Sequence, residues 1–432
     1  MKTKLLLAAG LILGIQQVNF AQTDANGYTT VNMSMGNGYQ NRVFFDLSSN
    51  TSISQAADTW DIAFYRNNAM DKGIKVNDAK NITVYQTSAT PSSFDTVLPS
   101  QKSSWGSPIY NPDQTTRIQD GVFDSATLIP AGNLNFGWGT YDTATHKVLG
   151  QVVFVLDYGN ESYYKFFINE FSGGYTFKYA QWNGTSWNAT QTKTLANGTD
   201  DAFFNYFSFA TGDKVNNLEP QKNNWDFMFT RYYTNYTYPG GAQMYKMAGV
   251  IQNPSISIAK VQPETQATST ATLPASTSFS NIITSVGHSW KPATGAPYSD
   301  VVYYVKQGSD YYRMYFITNE GIATGNMYFK YKNITSTLGV KEIGKAANFG
   351  IYPNPTTADK KVTVLFDVKE KSDSKGNIEV FDMNGRKVYS SELTNNTGFY
   401  KQDISLSHLT SGNYLVKITY AGKTETKKLI VK

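Results

Sequence analysis

The chain contains no cysteine. That excludes disulfide stapling, a thiolate nucleophile, thiolate metal ligands and a lipid anchor on a cysteine. Charge is also scarce: Asp, Glu, Lys and Arg make up 16% of the 432 residues, against roughly 25% in an average globular protein. The net charge of +5 has no basic block behind it, so a nucleic-acid partner is not expected. Histidine occurs three times. No H-E-x-x-H, G-x-S-x-G or P-loop pattern is present, and nothing resembles a calcium loop, so the chain reads as non-enzymatic with no metal site. No apolar run approaches the roughly 18 residues of a transmembrane helix.

What is plentiful is aromatic: 30 Tyr, 25 Phe and 7 Trp. With abundant Thr, Asn and Gly, this composition suits short strands joined by turns, and the fold class expected is all-β. The opening "MKTKLLLAAGLILGIQQVNFAQ" has Lys2 and Lys4, then a short apolar stretch, and reads as a signal peptide over residues 1–21.

Two stretches repeat. "TWDIAFYR" (59–66) returns as "NWDFMFTR" (224–231). Alternation with a period of two predicts strands, with Trp60, Ile62 and Phe64 sharing one face, and Trp225, Phe227 and Phe229 the equivalent face. Around them, "ESYYKFFINEFSGGYTFKYAQ" (161–181) answers to "SDYYRMYFITNEGIATGNMYFKYKN" (309–333). Two tandem β units follow, 22–190 and 191–335. In this scheme Trp60, Asp61, Arg66, Trp225, Asp226 and Arg231 are structural anchors of the repeat. Each aspartate is expected to fix a strand edge through an arginine or the backbone. Glu170 and Glu320, also repeated, read as solvated residues at strand ends.

After a linker at 336–347 the character changes. Strands are expected at 361–368, 377–383, 387–393, 414–420 and 427–432, with an Asn-Gly turn in "MNGR", making a small Ig-like β-sandwich over 348–432. "YPNP" (352–355), "VFDMNGRKV" (380–388), "LTSGNYLVKI" (409–418) and "TKKLIVK" (426–432) resemble the type A C-terminal sorting domain of the type IX secretion system. The resemblance implies a Bacteroidota-type outer membrane, the type IX machinery as partner, and a mature protein secreted or held at the outer cell surface.

The "WDIAFYR"-type stretches, the aromatic strands before them and the "YYK…FKY" tails resemble the HmuY family of exported bacterial proteins, whose founding members bind haem through a pair of axial ligands. The resemblance implies two HmuY-like β domains and a ligand pocket. Only His146 and His288 lie outside the sorting domain, one per copy, so a bis-histidine site within one unit is excluded. A His–Met site would need a methionine such as Met244 or Met247 in "QMYKMAGV". Tyr232, Tyr233, Tyr236 and Tyr238 crowd "RYYTNYTYPGG" and are the aromatic candidates for stacking on a glycan or a partner protein. Two readings remain: capture of haem or another small apolar ligand, and a surface adhesion or glycan-binding module. A carbohydrate-active enzyme ranks last, because glycoside hydrolysis needs two facing carboxylates and the repeated ones belong to different copies.

Overall fold

The computed structural model describes residues 15–18, 23–66, 72–132, 134–198, 200–268, 271–335, 347–373, 375–421 and 423–432. Nearly all regular structure is strand. Among the described residues α-helix is limited to the single turn Ser93–Thr96 and to Thr335, and no helix is long and apolar enough to cross a membrane. Of the expected signal peptide only Ile15–Val18 is described, as a strand against Thr51–Ala56. The expected linker, apart from Ala347, lies outside the described residues. The chain divides into two compact units, Met1–Asn333 and Ile334–Lys432.

The second unit is a two-sheet sandwich. One sheet has the order Ala347–Tyr352, Lys361–Val368, Gly398–Ser405; the other has Lys387–Leu393, Gly376–Asp382, Gly412–Tyr420, Lys423–Val431. Val362, Val364, Phe366 and Val368 point inward at every second place, as a half-buried strand requires. The five expected strands are present. Gly398–Ser405 carries no comparable signal, because Ile404 is its one buried core side chain, with Tyr400 only partly buried against the core.

The first unit contains two outer and two inner sheets. One outer sheet runs Gln191–Ala196, Gly174–Gln181, Tyr163–Phe171, Val153–Asp157, Thr83–Ser88. The other repeats that order with Thr29–Ser34, Asn326–Asn333, Asp310–Asn319, Val302–Gln307, Ile256–Val261. The edge strand that follows "FKY" in the first copy is thus replaced in the second by a segment from the beginning of the chain.

The inner sheets exchange partners as well. Asn41–Asp46 and Thr51–Ala56, from the first half, pair with Phe227–Tyr238 and Gly241–Gln252 from the second. Phe204–Ser208 and Asp213–Val215 pair with Ile62–Tyr65 and Ile74–Val76. Equivalent residues meet in equivalent register: Phe45 opposite Phe227, Phe207 opposite Ile62. The sequence boundary at 190/191 therefore falls inside one compact unit. Each repeat's first hairpin is docked on the other repeat.

Three cores result. Ile62, Phe64, Phe207 and Phe209 pack with Phe154, Phe166 and Phe177 between one inner and one outer sheet. Phe45, Phe227 and Phe229 pack with Met314, Phe316 and Phe329 between the other pair. The opposite faces of the two inner sheets meet in a third core of Phe44, Trp60, Ala63, Phe204, Tyr206 and Trp225. Trp60 consequently does not share the face of Ile62 and Phe64, nor Trp225 that of Phe227 and Phe229. Both strands begin two residues after the tryptophan, so the period of two does not reach back to it, and both indoles turn into the seam.

Candidate functional site

The two W-D stretches build the seam with matching contacts. Trp60 lies edge-on to Tyr206 at 4.9 Å, and Trp225 edge-on to Phe44 at 5.3 Å. Asp61 donates its backbone N–H to Phe207 and accepts from the Phe209 N–H at 2.6 Å, the Lys80 ammonium at 2.6 Å and the Tyr158 hydroxyl at 3.0 Å. Asp226 donates to the Phe45 carbonyl and accepts from the Leu47 N–H at 2.8 Å and the Gln307 amide at 2.7 Å. Each aspartate thus clamps the hairpin that the other copy contributes. The expected backbone contact is present; the side-chain bonds of Asp61 and Asp226 go to backbone N–H groups, Lys80, Tyr158 and Gln307 rather than to the arginines of their own stretches.

Those arginines have diverged. Arg66 is fully buried and donates to the Ala202 carbonyl, the Asn205 side-chain oxygen and the Asp200 carboxylate and carbonyl. Arg231 is half-buried, and its guanidinium has no hydrogen bond or carboxylate partner among the described residues. It sits over the Tyr39 ring at 5.9 Å, and desolvation holds its pKa below the usual arginine value.

Arg231 lines a cavity of about 370 Å³, with Tyr39, Tyr245, Lys246, Lys291 and Asn319 around it. Lys246 donates to the Lys80 carbonyl at 2.6 Å and the Asn81 side-chain oxygen at 2.8 Å, both neutral acceptors. Lys291 is only 4% exposed, with a long 3.5 Å contact to the Pro292 carbonyl. Burial pushes both lysines down to about 8, with Arg231 adding to the effect at Lys246. Glu320 also lines the cavity, but its carboxylate is occupied by the Thr324 hydroxyl and the Asn326 amide, both at 2.7 Å. The buried Oδ1 of Asn319 has no donor among the described residues. The arrangement offers three cations, two tyrosine rings and one unsatisfied acceptor. An anionic group meets the cations, a flat ring the tyrosines, and a hydroxyl the asparagine.

The tyrosines singled out in the sequence do not form one patch. Tyr232 is buried and hydrogen-bonded to Nδ1 of His288 at 2.9 Å. Tyr236 lies near the same imidazole, and Tyr238 near Tyr236. Tyr233, at an odd position of the strand, packs instead on Tyr110. Of the methionines, Met247 is buried opposite Tyr232 and lines the cavity, whereas Met244 lies opposite Asn235. His146 occupies a turn with φ 56° and contacts the Tyr141 hydroxyl at 3.0 Å. Burial lowers the pKa of His288, and Lys291 lowers it further. Tyr39, Lys246, Lys291 and Asn319 were not singled out. They come from four separate segments, each unremarkable in sequence.

Residues 350–432 match the family described as the secretion system C-terminal sorting domain. No curated protein matches the chain. The tail makes this an exported β-protein of the type IX route, secreted and attached at the cell surface after C-terminal processing. Deleting 350–432 is expected to abolish surface delivery while the 23–335 body still folds, since the tail has its own core. Fractionation with a protease-accessibility assay reads this; surface protein at wild-type level would refute it.

Proposed function

We propose that the protein is a non-enzymatic binding protein of the cell surface. Its cavity at Arg231, Lys246 and Lys291 takes an acidic saccharide, a uronate or a sulfated sugar. The HmuY-like reading of the two copies belongs to this proposal as a reason to expect a ligand-binding body. The observation that carries it is the contrast between the repeated arginines. Arg66 is neutralised by Asp200 and spent on structure, whereas Arg231 lies half-buried in a cavity with no carboxylate bonded to it among the described residues, the one carboxylate on that lining, Glu320, being engaged by Thr324 and Asn326. A partly desolvated cation of this kind is costly unless an anion joins it. Haem draws less support, because His288 is engaged by Tyr232 and His146 by Tyr141.

Calorimetric titration of the full chain with an oligogalacturonate, a sulfated galactan oligosaccharide and a neutral cello-oligosaccharide tests this. The two acidic probes separate carboxylate from sulfate recognition, and the neutral one is expected not to bind. Lys291→Met and Arg231→Met are each expected to weaken binding about tenfold or more, as loss of a hydrogen bond between charged groups implies. Affinity should fall between about pH 7 and pH 9 as Lys246 and Lys291 lose their protons, since Arg231 stays charged there and Glu320 is ionised throughout. Equal binding of the neutral sugar would overturn the proposal.

A further inference from the structure

A second, smaller cavity of about 80 Å³ lies in the seam between the two inner sheets. Arg231 lies on the lining of both cavities, but the donors that distinguish the seam cavity are others. Three buried N–H groups on its lining residues have no acceptor among the described residues: Arg42 Nε, Trp60 Nε1 and Trp225 Nε1. The three side chains are 4%, 7% and 2% exposed. A buried donor without an acceptor costs about 1–3 kcal/mol, and native proteins keep few of them. Here three belong to residues lining one void, two of them from equivalent positions of the repeat.

Arg42 strengthens the point. Its guanidinium donates to the Leu218 carbonyl at 2.6 Å and reaches the Tyr206 hydroxyl at 3.4 Å. It stacks over the rings of Phe44, Trp60 and Tyr206. It makes no direct salt bridge among the described residues, although Glu219 lies close enough to interact with it electrostatically and binds the same Tyr206 hydroxyl. Glu219 also lines the cavity, but its carboxylate accepts from the Phe203 N–H and the Tyr206 hydroxyl, and burial raises its pKa. Asp78, on the same wall, accepts from Asn111 and is raised to about 6 by burial. The rest of the lining mixes aromatic and aliphatic side chains with Lys75, Asn77, Asn111, Thr230 and Arg231, and the volume suits a few heavy atoms.

We infer that the seam cavity binds a small carboxylate, with its two oxygens shared among Arg42 Nε–H and the two indole N–H groups and its short apolar tail against Ala63 and the surrounding rings. The binding surface belongs to both repeats at once, so occupancy would tie the exchanged hairpins together.

The test uses the full chain with acetate and propionate as probes, propionamide as a neutral comparison, and chloride at matched ionic strength as the control. Acetate and propionate are expected to change tryptophan fluorescence saturably and to raise Tm, because a ligand bound only to the folded state stabilises it by mass action. Trp225→Phe keeps the ring and removes one donor, and should weaken the response about tenfold. Ala63→Val fills the void without touching any donor and should abolish it. No saturable response in the wild type, an undiminished response in Ala63→Val, or a crystal structure from acetate with only water on the three nitrogens would each overturn the inference.

Discussion

Replacing Asp226 by alanine is expected to lower the stability of the folded chain by about 3–5 kcal/mol, and Asp61→Ala by a similar amount. The backbone bonds of Asp226 to Phe45 and Asn253 survive the change. The Leu47 N–H and the Gln307 amide do not keep their acceptor. In Asp61→Ala the Phe209 N–H is stranded and Lys80 loses its buried counter-charge. Asp226→Asn should cost less, because one oxygen remains. It should also flatten a pH dependence. Burial raises the Asp226 pKa from 3.8 to about 7, so the folded state holds this proton more tightly than the unfolded state. Its contribution to stability is full below the unfolded value and is lost as pH rises through about 7. Chemical denaturation at several pH values reads both effects. A loss under about 1 kcal/mol in both alanine variants would mean the clamps are dispensable.

The strands, the sorting tail and the duplication were legible because each rests on local pattern: alternation, turn residues and recurring letters. The exchange of hairpins was not. Asn41–Asp46 and Phe204–Ser208 both present an apolar face at every second residue, and that pattern fits either neighbouring strand equally well. What selects the partner is long-range: the Asp226 carboxylate meeting Leu47, the Asp61 carboxylate meeting Phe209. The same blindness hid the cavity. Arg66 and Arg231 are equivalent letters, and only Asp200 and Asn205 beside one of them make it structural. The tyrosine run is a different case. Its alternation already implied that Tyr233 faces away from Tyr232 and Tyr236, and reading the run as one patch ignored that.

Residues 23–198 expressed alone are expected not to fold. The stretch resembles a complete repeat, but in the full chain its Ile62–Tyr65 strand is paired on one edge by Phe204–Ser208, which the fragment lacks. Its first hairpin is left without Phe227–Tyr238, the strand it is built against. Phe207 and Phe209 leave the core they share with Phe64 and Phe177. Burial of one phenylalanine contributes about 1.5–3 kcal/mol. With the lost seam added, the deficit is comparable to the roughly 5–15 kcal/mol of a whole domain. Two unpaired strand edges would also favour aggregation. Residues 200–335 should fail likewise, lacking both the Asn41–Asp46 hairpin and the edge strand Thr29–Ser34, whose Val31 and Met33 lie in the other core. Refolded together, the two fragments should give a one-to-one complex with the cooperative melt of the intact 23–335 body. Circular dichroism and size-exclusion chromatography distinguish the outcomes. If either fragment folds cooperatively as a monomer, the exchanged pairing is not what holds the body together; if the mixture assembles where the parts do not, the two repeats fold only through each other.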